Sequence, residues 1–206
     1  MKIPMRWVPG VLLLGLACKA GVPPVRPEDL RGPRLTEPLP KPGIQFERGD
    51  GSPFDFRQET RGTLTFLFFG YTHCPDVCPL HMANLAWALR SLPSETTRRV
   101  RVIFVTTDPE RDTPERLRSW LANFDSTFVG VSGSPAALEV AQRAMGMPVA
   151  SREGMLPDSS GYAISHGAHL WAFTPDDSAH VVYPLGLTRE DLAADIPRLL
   201  ALWPGK

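Results

Sequence analysis

The sequence predicts an α/β domain with a central mixed sheet, helices on its faces and an N-terminal hairpin. Strand patterns alternate with helix patterns from residue 64 to residue 145, and a second hairpin and an amphipathic helix follow. This order is typical of a three-layer α/β domain. The chain has 206 residues, which is enough for one sizeable hydrophobic core but short for two full domains.

The first half of the domain has the clearest patterns. Apolar and polar residues alternate on both sides of an RGDG turn, which predicts a hairpin over residues 44–56. The run LTFLFF at residues 64–69 predicts a buried strand, and residues 75–92 carry the apolar spacing of a helix with Cys74 as its N-cap. Residues 99–105 are apolar on both sides, as in a central strand.

The second half is predicted in shorter segments. Thr113 and Pro114 begin a helix, because threonine is a favoured N-cap and proline is favoured at the first helical position. The remaining predictions are a strand at 128–131, a helix at 135–145, a loop at 147–161, strands at 163–164, 168–173 and 180–183, and a helix at 188–202.

The first 42 residues are predicted to lie outside the folded domain. Residues 1–18 combine two basic residues with a short apolar run, which is typical of an export signal. The end of this run resembles a bacterial lipoprotein signal, so we expect lipidation of Cys18; cleavage nearby and an uncleaved anchor are the alternatives. Residues 19–42 are proline-rich and predict an unstructured tether, which leaves residues 43–206 as the domain. We therefore expect an exported protein, anchored at the periplasmic, outer face of the bacterial cytoplasmic membrane.

The formal net charge is zero, with 22 basic and 22 acidic residues. Net charge therefore gives no electrostatic preference for nucleic acid or for an anionic membrane. We expect a monomer that does not bind nucleic acid.

Cys74 and Cys78 are the cysteines that remain once Cys18 is assigned to the signal. Thiols one helical turn apart fit either a dithiol or, in the oxidised form, a Cys74–Cys78 disulfide. Two cysteines are too few for an iron–sulfur cluster or a structural zinc site. Their spacing also differs from the Cys-x-x-Cys of covalent haem and of the usual thioredoxin motif. Two thiolates with one imidazole suit copper, so metal binding and electron transfer are both open on these grounds.

Three segments resemble the Sco/SenC family of copper-binding assembly factors for cytochrome c oxidase, which have a thioredoxin-like fold. They are YTHCPDVCP at residues 71–79, TTDPERDTP at residues 106–114 and YAISHG at residues 162–167. The resemblance runs from about residue 43 to the C-terminus, and three motifs in the same order make coincidence a poor explanation. It implies that one copper ion per domain is bound by Cys74, Cys78 and His166.

The third motif departs from the family pattern at two positions. Ser165 stands where aspartate is usual, and Gly167 where serine or threonine is usual. A metal-binding histidine is normally oriented by a hydrogen bond to its second ring nitrogen. If the family's aspartate contributes to this bond, Ser165 is a weaker substitute for it, and copper affinity should be lower. Asp108 either supports the metal site from behind or caps the turn before Pro109. His81 is expected to be a solvated helix residue.

The resemblance implies a copper metallochaperone more than an enzyme. The expected partner is the copper-site subunit of cytochrome c oxidase, and the copper donor is not identified by the sequence. The alternative is a thiol–disulfide oxidoreductase that reduces the cysteines of that subunit, with Cys74 and Cys78 as its catalytic residues. A peroxidase-like thiol enzyme is a third hypothesis, for which we expect no peroxide turnover above background.

Overall fold

Helices and strands alternate through most of the chain in the computed structural model, which describes residues 24–155 and 161–205. The first elements are a short 3₁₀ helix (Pro27–Asp29), β1 (Arg34–Pro40), β2 (Gln45–Arg48), β3 (Pro53–Asp55), α1 (Phe56–Glu59), β4 (Leu64–Gly70), α2 (Val77–Arg90) and α3 (Ser94–Thr97). They are followed by β5 (Val100–Thr106), α4 (Pro114–Ala122), β6 (Val129–Ser132), α5 (Pro135–Ala144), β7 (Ser151–Met155), β8 (Tyr162–Ser165), β9 (Leu170–Phe173), β10 (Ser178–Tyr183) and α6 (Arg189–Leu202).

The predicted export signal over residues 1–18, with the lipidation at Cys18, lies outside the described residues. Among the helices that are described, none has both the length and the apolar character needed to span a membrane.

An eight-stranded mixed sheet forms the centre of the described part of the chain, in the order β1-β10-β9-β4-β5-β6-β2-β3. Strands β4, β5 and β6 are parallel, and the other neighbouring pairs are antiparallel. Leu64 lies opposite Val100 where β4 and β5 begin, and Gly70 lies opposite Thr106 where they end. The segments that follow β4 and β5 therefore emerge at the same edge of the sheet. A separate antiparallel pair joins β7 to β8.

Helices cover both faces of the sheet. On one face α2, α4 and α6 contribute Met82, Leu117 and Ile196 to the core, and on the other α1 and α5 contribute Phe56 and Leu138. This arrangement confirms the predicted three-layer α/β class with a mixed sheet.

The central strands are apolar on both sides because both of their faces are covered. Every residue of β4 is buried. In β5, Val102 and Phe104 belong to the core under α2, whereas Ile103 and Val105 belong to the core under α5. The alternation predicted for this strand is therefore confirmed.

Residues 34–40 form an edge strand, so the prediction of an unstructured tether over residues 19–42 is wrong for this part. Strand β1 pairs with β10 at the margin of the sheet. Its prolines are tolerated because an edge strand pairs along one side only. Just upstream, the buried carboxylate of Asp195 accepts hydrogen bonds from the backbone N–H groups of Arg31 (3.0 Å) and Gly32 (2.8 Å). The folded domain therefore includes this segment.

Residues 151–155 form β7, where the sequence predicts part of a loop over residues 147–161. All five residues of β7 are exposed, and three of them are serine, arginine and glutamate. A strand that buries neither face lacks the apolar alternation from which strands are predicted.

Candidate metal centre

Cys74 and Cys78 lie where the chain leaves β4 and enters α2. The helix begins at Val77 with Asp76 as its N-cap, two residues later than the predicted start. Cys78 is therefore in the first turn of α2, whereas Cys74 lies in the preceding turn, where its N–H donates to the carbonyl of Tyr71 (3.1 Å). The predicted N-cap position of Cys74 is wrong, yet both thiols lie at the N-terminal end of the helix.

Two residues allow the chain to pack tightly here. Gly70 leaves room for the Cys78 sulfur, because a Cβ atom at residue 70 would lie 2.7 Å from it. Pro79 lies in the first turn of α2, where a backbone N–H has no acceptor within the helix. The first such bond runs from the N–H of Leu80 to the carbonyl of Asp76 (3.2 Å). Pro79 therefore removes no hydrogen bond from α2.

His166 follows β8 and brings an imidazole to the two sulfurs. The Sγ atoms of Cys74 and Cys78 and a ring nitrogen of His166 all lie within 4.8 Å of one another, and Nε2 is 3.6 Å from the Cys78 Sγ. Nδ1 lies 3.1 Å from the carbonyl oxygen of Gly167. Because a carbonyl only accepts, Nδ1 carries a proton, which leaves Nε2 as the ring nitrogen that faces the sulfurs. The three side chains are positioned to bind a metal.

Aromatic side chains confine the imidazole of His166. The rings of Tyr71 and Phe68 meet it edge to face, with centroid distances of 5.6 Å and 6.0 Å. Both aromatic residues are buried. The ring is therefore held in place before any metal arrives.

The two departures in the third motif have structural explanations. Ser165 is exposed, and the carbonyl of Gly167 supplies the contact to the second ring nitrogen of His166. A Cβ atom at residue 167 would lie 2.6 Å from the Cε of Met147, so this methionine fills the space beside Gly167. Met147 is itself held by a hydrogen bond from the Trp171 indole to its sulfur (3.3 Å).

The two thiols differ in protonation. A hydrogen bond from Cys78 is the largest effect on Cys74; it outweighs the opposing effect of burial and lowers the Cys74 pKa to about 4. Burial is the largest effect on Cys78, and together with the neighbouring Cys74 it raises the Cys78 pKa well above its usual value. At neutral pH the pair is therefore one thiolate and one thiol.

Asp108 lies behind the site and touches the segment that carries His166. Its buried carboxylate accepts a hydrogen bond from the Tyr162 hydroxyl (2.8 Å) and pairs with Arg111. Arg111 also donates to the carbonyl of Tyr162 (2.9 Å) and stacks on its ring, with the guanidinium carbon 3.6 Å from the centroid. Asp108 therefore reaches the metal centre through β8, which begins at Tyr162.

Asp112 fixes the segment that carries Cys74. Its buried carboxylate accepts hydrogen bonds from the N–H (3.0 Å) and the hydroxyl (2.6 Å) of Thr72, and from the hydroxyl of Thr106 (2.7 Å). Asp112 thereby joins the turn after β4 to the end of β5. The second motif thus has one carboxylate for each of the two segments that bring metal ligands.

His81 is buried, so the prediction of a solvated residue is wrong. Its Nε2 donates to the carbonyl of Ala168 (3.1 Å), and its ring packs on Phe68 with centroids 4.9 Å apart. Burial is the largest effect on the pKa of His81 and lowers it, outweighing the bond to Ala168, which acts in the opposite direction. His81 therefore ties α2 to the loop after His166.

Sequence reasoning missed Asp112, Arg111, Tyr162 and the structural role of His81. The first three lie within the quoted motifs, so the signal was available. Only the fold shows which carboxylate meets which segment.

Comparisons with known proteins agree with this geometry. The family model described as SCO1/SenC matches residues 45–201. A Stutzerimonas stutzeri protein named for copper binding is 33% identical over 159 residues, covering 76% of this chain and 76% of its own length.

Two solved structures share the fold and part of the sequence. The apo Sco1 protein from Thermus thermophilus has a TM-score of 0.73 and 32% identity, covering 83% of this chain and 97% of its own. Bradyrhizobium japonicum ScoI with copper bound has a TM-score of 0.66 and 30% identity, covering 80% of this chain and 98% of its own.

Proposed function

Since this chain belongs to the SCO1/SenC family, we propose that it is a copper metallochaperone that carries one copper ion on Cys74, Cys78 and His166. The observation that carries the proposal is the convergence of two sulfurs and one imidazole nitrogen within 4.8 Å of one another. The copper-binding relative and the copper-bound neighbour support the choice of metal.

The donor set favours Cu(I). Thiolates are soft ligands that select this ion, and two of them with one imidazole suit trigonal coordination. Cys74 is already ionised at neutral pH because its pKa is lowered to about 4. Cys78 loses its proton when the metal binds, so loading releases one proton.

The proposal includes a place and a partner. An N-terminal export signal with a lipidated Cys18 would anchor the domain at the outer face of the bacterial cytoplasmic membrane. The family resemblance supports the copper-site subunit of cytochrome c oxidase as the recipient of the metal.

Metal loading is tested by titrating the reduced, purified full chain with Cu(I) in the presence of a competing chelator. We expect one copper per chain, and the variants Cys74→Ser, Cys78→Ser and His166→Ala should each bind at least about tenfold more weakly. His169→Ala is the matched control, because His169 is exposed and is not part of the cluster of three ligands. Failure of the wild type to bind copper at stoichiometric loading contradicts the proposal.

The second candidate is a thiol–disulfide oxidoreductase acting on the cysteines of the same subunit. The opposite pKa shifts of Cys74 and Cys78 favour it, because a thiolate beside a protonated thiol is suited to thiol exchange. His166→Ala separates the two functions: dithiol–disulfide cycling should survive while copper binding is lost. If this variant still supports oxidase assembly in cells, the oxidoreductase explains the function and the chaperone does not.

A further inference from the structure

A group of exposed arginines lies at the end of the sheet opposite the metal centre. Its members, called here the arginine face, are Arg61, Arg90, Arg98, Arg99 and Arg101. Among the described residues, none of them has a carboxylate oxygen within ion-pair distance. Elsewhere on the described surface, Arg143 and Arg189 are paired with glutamates, whereas Arg57 and Arg118 have no such pair, so the arginine face is distinguished by the number of arginines that it brings together. The zero net charge of the chain therefore conceals a local concentration of positive charge.

The arginine face lies where the parallel strands β4 and β5 begin. Arg61 lies in the turn before β4, Arg99 and Arg101 flank the first residue of β5, and Arg90 ends α2. Cys74 follows the other end of β4 and Cys78 lies in the first turn of α2, so both sulfurs are at the opposite end of this strand and helix. Strand β4 has seven residues, so the two ends are about 20 Å apart.

Several of these arginines share one concave surface. Arg90, Arg98 and Arg101 line a groove of about 770 Å³. Arg90 donates to the carbonyl of Phe124 (3.0 Å) and Arg101 to that of Val100 (2.9 Å), so both guanidinium groups are held in position. The acidic residues that line these grooves are Glu95 and Asp125, and Asp55 lies close to Arg61. Five arginines against these three carboxylates leave an excess of two positive charges.

The described chain begins at the same end of the domain. Pro24 lies beside Arg198 of α6, since both line one hollow. Pro197, the preceding residue of α6, shares a second groove with Arg99. A surface that meets the chain at Pro24 therefore lies close to part of the arginine face.

We propose that the arginine face binds an anionic phospholipid surface and that this contact turns the metal centre away from the membrane. The proposal rests on the membrane attachment included in the proposed function. Basic residues near an anionic leaflet each contribute about fivefold to its binding. An excess of two charges, near the first described residues, favours this end of the domain as the end that meets the lipid.

Hydrogen–deuterium exchange of the full chain tests this orientation. The chain is mixed with vesicles of phosphatidylcholine alone or with about 30% phosphatidylglycerol added, at low salt. We expect the amides of residues 90–101 to exchange at least about twofold more slowly on the phosphatidylglycerol vesicles, with no such change in residues 71–79. The protection should disappear at high salt, because a surface charge contact is screened.

Matched variants keep the interpretation specific. The triple variant R98Q/R99Q/R101Q should lose about 100-fold in affinity for the anionic vesicles, and with it the protection. R143Q/R189Q removes two charges from ion-paired arginines that line neither these grooves nor the hollow of Pro24, and should keep the protection. Copper titration of both variants should match the wild type, so failure of this proposal is distinguishable from failure of the metal site.

Three outcomes overturn the proposal. The first is equal exchange of residues 90–101 on both kinds of vesicle. The second is protection that persists in R98Q/R99Q/R101Q. The third is protection that appears without vesicles and grows with protein concentration, which assigns the face to a second copy of the chain.

Discussion

Cys74 and Cys78 lie in the same metal centre, yet at neutral pH Cys74 is a thiolate and Cys78 is a protonated thiol. The donor that stabilises the Cys74 thiolate is Cys78 itself, and Cys78 lies deeper in the apolar core. Keeping one thiol protonated limits the charge that must be buried when no metal is bound.

This difference predicts the pH dependence of thiol alkylation. Between about pH 6 and pH 8, iodoacetamide should modify Cys74 before Cys78, at a rate that hardly changes with pH, because its pKa of about 4 leaves it ionised throughout. Mass spectrometry of the quenched, reduced protein measures both sites. In Cys78→Ala the donor is absent, so the Cys74 pKa should rise and the pH dependence should return. A wild-type rate that grows about tenfold per pH unit contradicts the assignment.

His81 predicts a second effect at the residue scale. His81→Phe keeps an aromatic ring against Phe68 but leaves the carbonyl of Ala168 without its donor, so unfolding free energy should fall by about 1–2 kcal/mol. Urea denaturation measures the change. His169→Gln, at an exposed position of the same loop, should stay within about 0.5 kcal/mol of wild type. Equal stabilities for the two variants would show that the His81 bond contributes nothing.

At the scale of elements, the segment between β5 and α4 organises the metal centre without supplying a ligand. Asp112 holds the turn with Cys74, and Asp108 with Arg111 holds β8, which leads to His166. Buried carboxylates that accept several hydrogen bonds keep their geometry well, because releasing a donor is costly.

Asp112→Asn tests this role. An amide cannot accept all three hydrogen bonds, so the variant should lose about 2 kcal/mol of stability and bind Cu(I) about tenfold more weakly. Chemical denaturation and chelator competition provide the two values. Glu115→Gln, an exposed position in the next helix, makes the same change of chemistry without a bond to lose. Wild-type copper affinity in Asp112→Asn would contradict the role of Asp112 in positioning Cys74.

The elements differed in how well they could be predicted. Strands β4 and β5 and helix α6 carry strong patterns because each buries a defined apolar surface. Strand β7 buries nothing, and so it left no pattern. The predicted start of α2 is two residues too early. Proline is favoured at the first position of a helix, which points to Pro75, but the turn that contains Cys74 comes first and the helix begins at Val77.

For the whole molecule, the sequence predicted the fold class and the three converging ligands but not the extent of the domain. The high proline content of this segment predicts disorder. The structure instead has an edge strand, β1, which needs only one partner strand, and the N–H groups of Arg31 and Gly32 donate to the buried carboxylate of Asp195. Such long-range contacts leave no local signal. Net charge is likewise a sum over the whole chain, and a sum of zero conceals the arginine face.

Truncation tests the extent of the domain. A chain beginning at Gly43 loses β1 and two of the donors to buried Asp195, so it should be about 3 kcal/mol or more less stable than one beginning at Pro24. Thermal and urea unfolding of the two chains compare them directly. If the shorter chain is as stable as the longer one, β1 is not part of the cooperative unit.

The central claim is a copper site made of two sulfurs and one nitrogen from Cys74, Cys78 and His166. X-ray absorption spectroscopy of the Cu(I)-loaded full chain tests it most directly. The account predicts two sulfur scatterers and one nitrogen scatterer around copper in the wild type, and loss of the nitrogen in His166→Ala. A sulfur-only shell in the wild type, or an unchanged spectrum in His166→Ala, would contradict it.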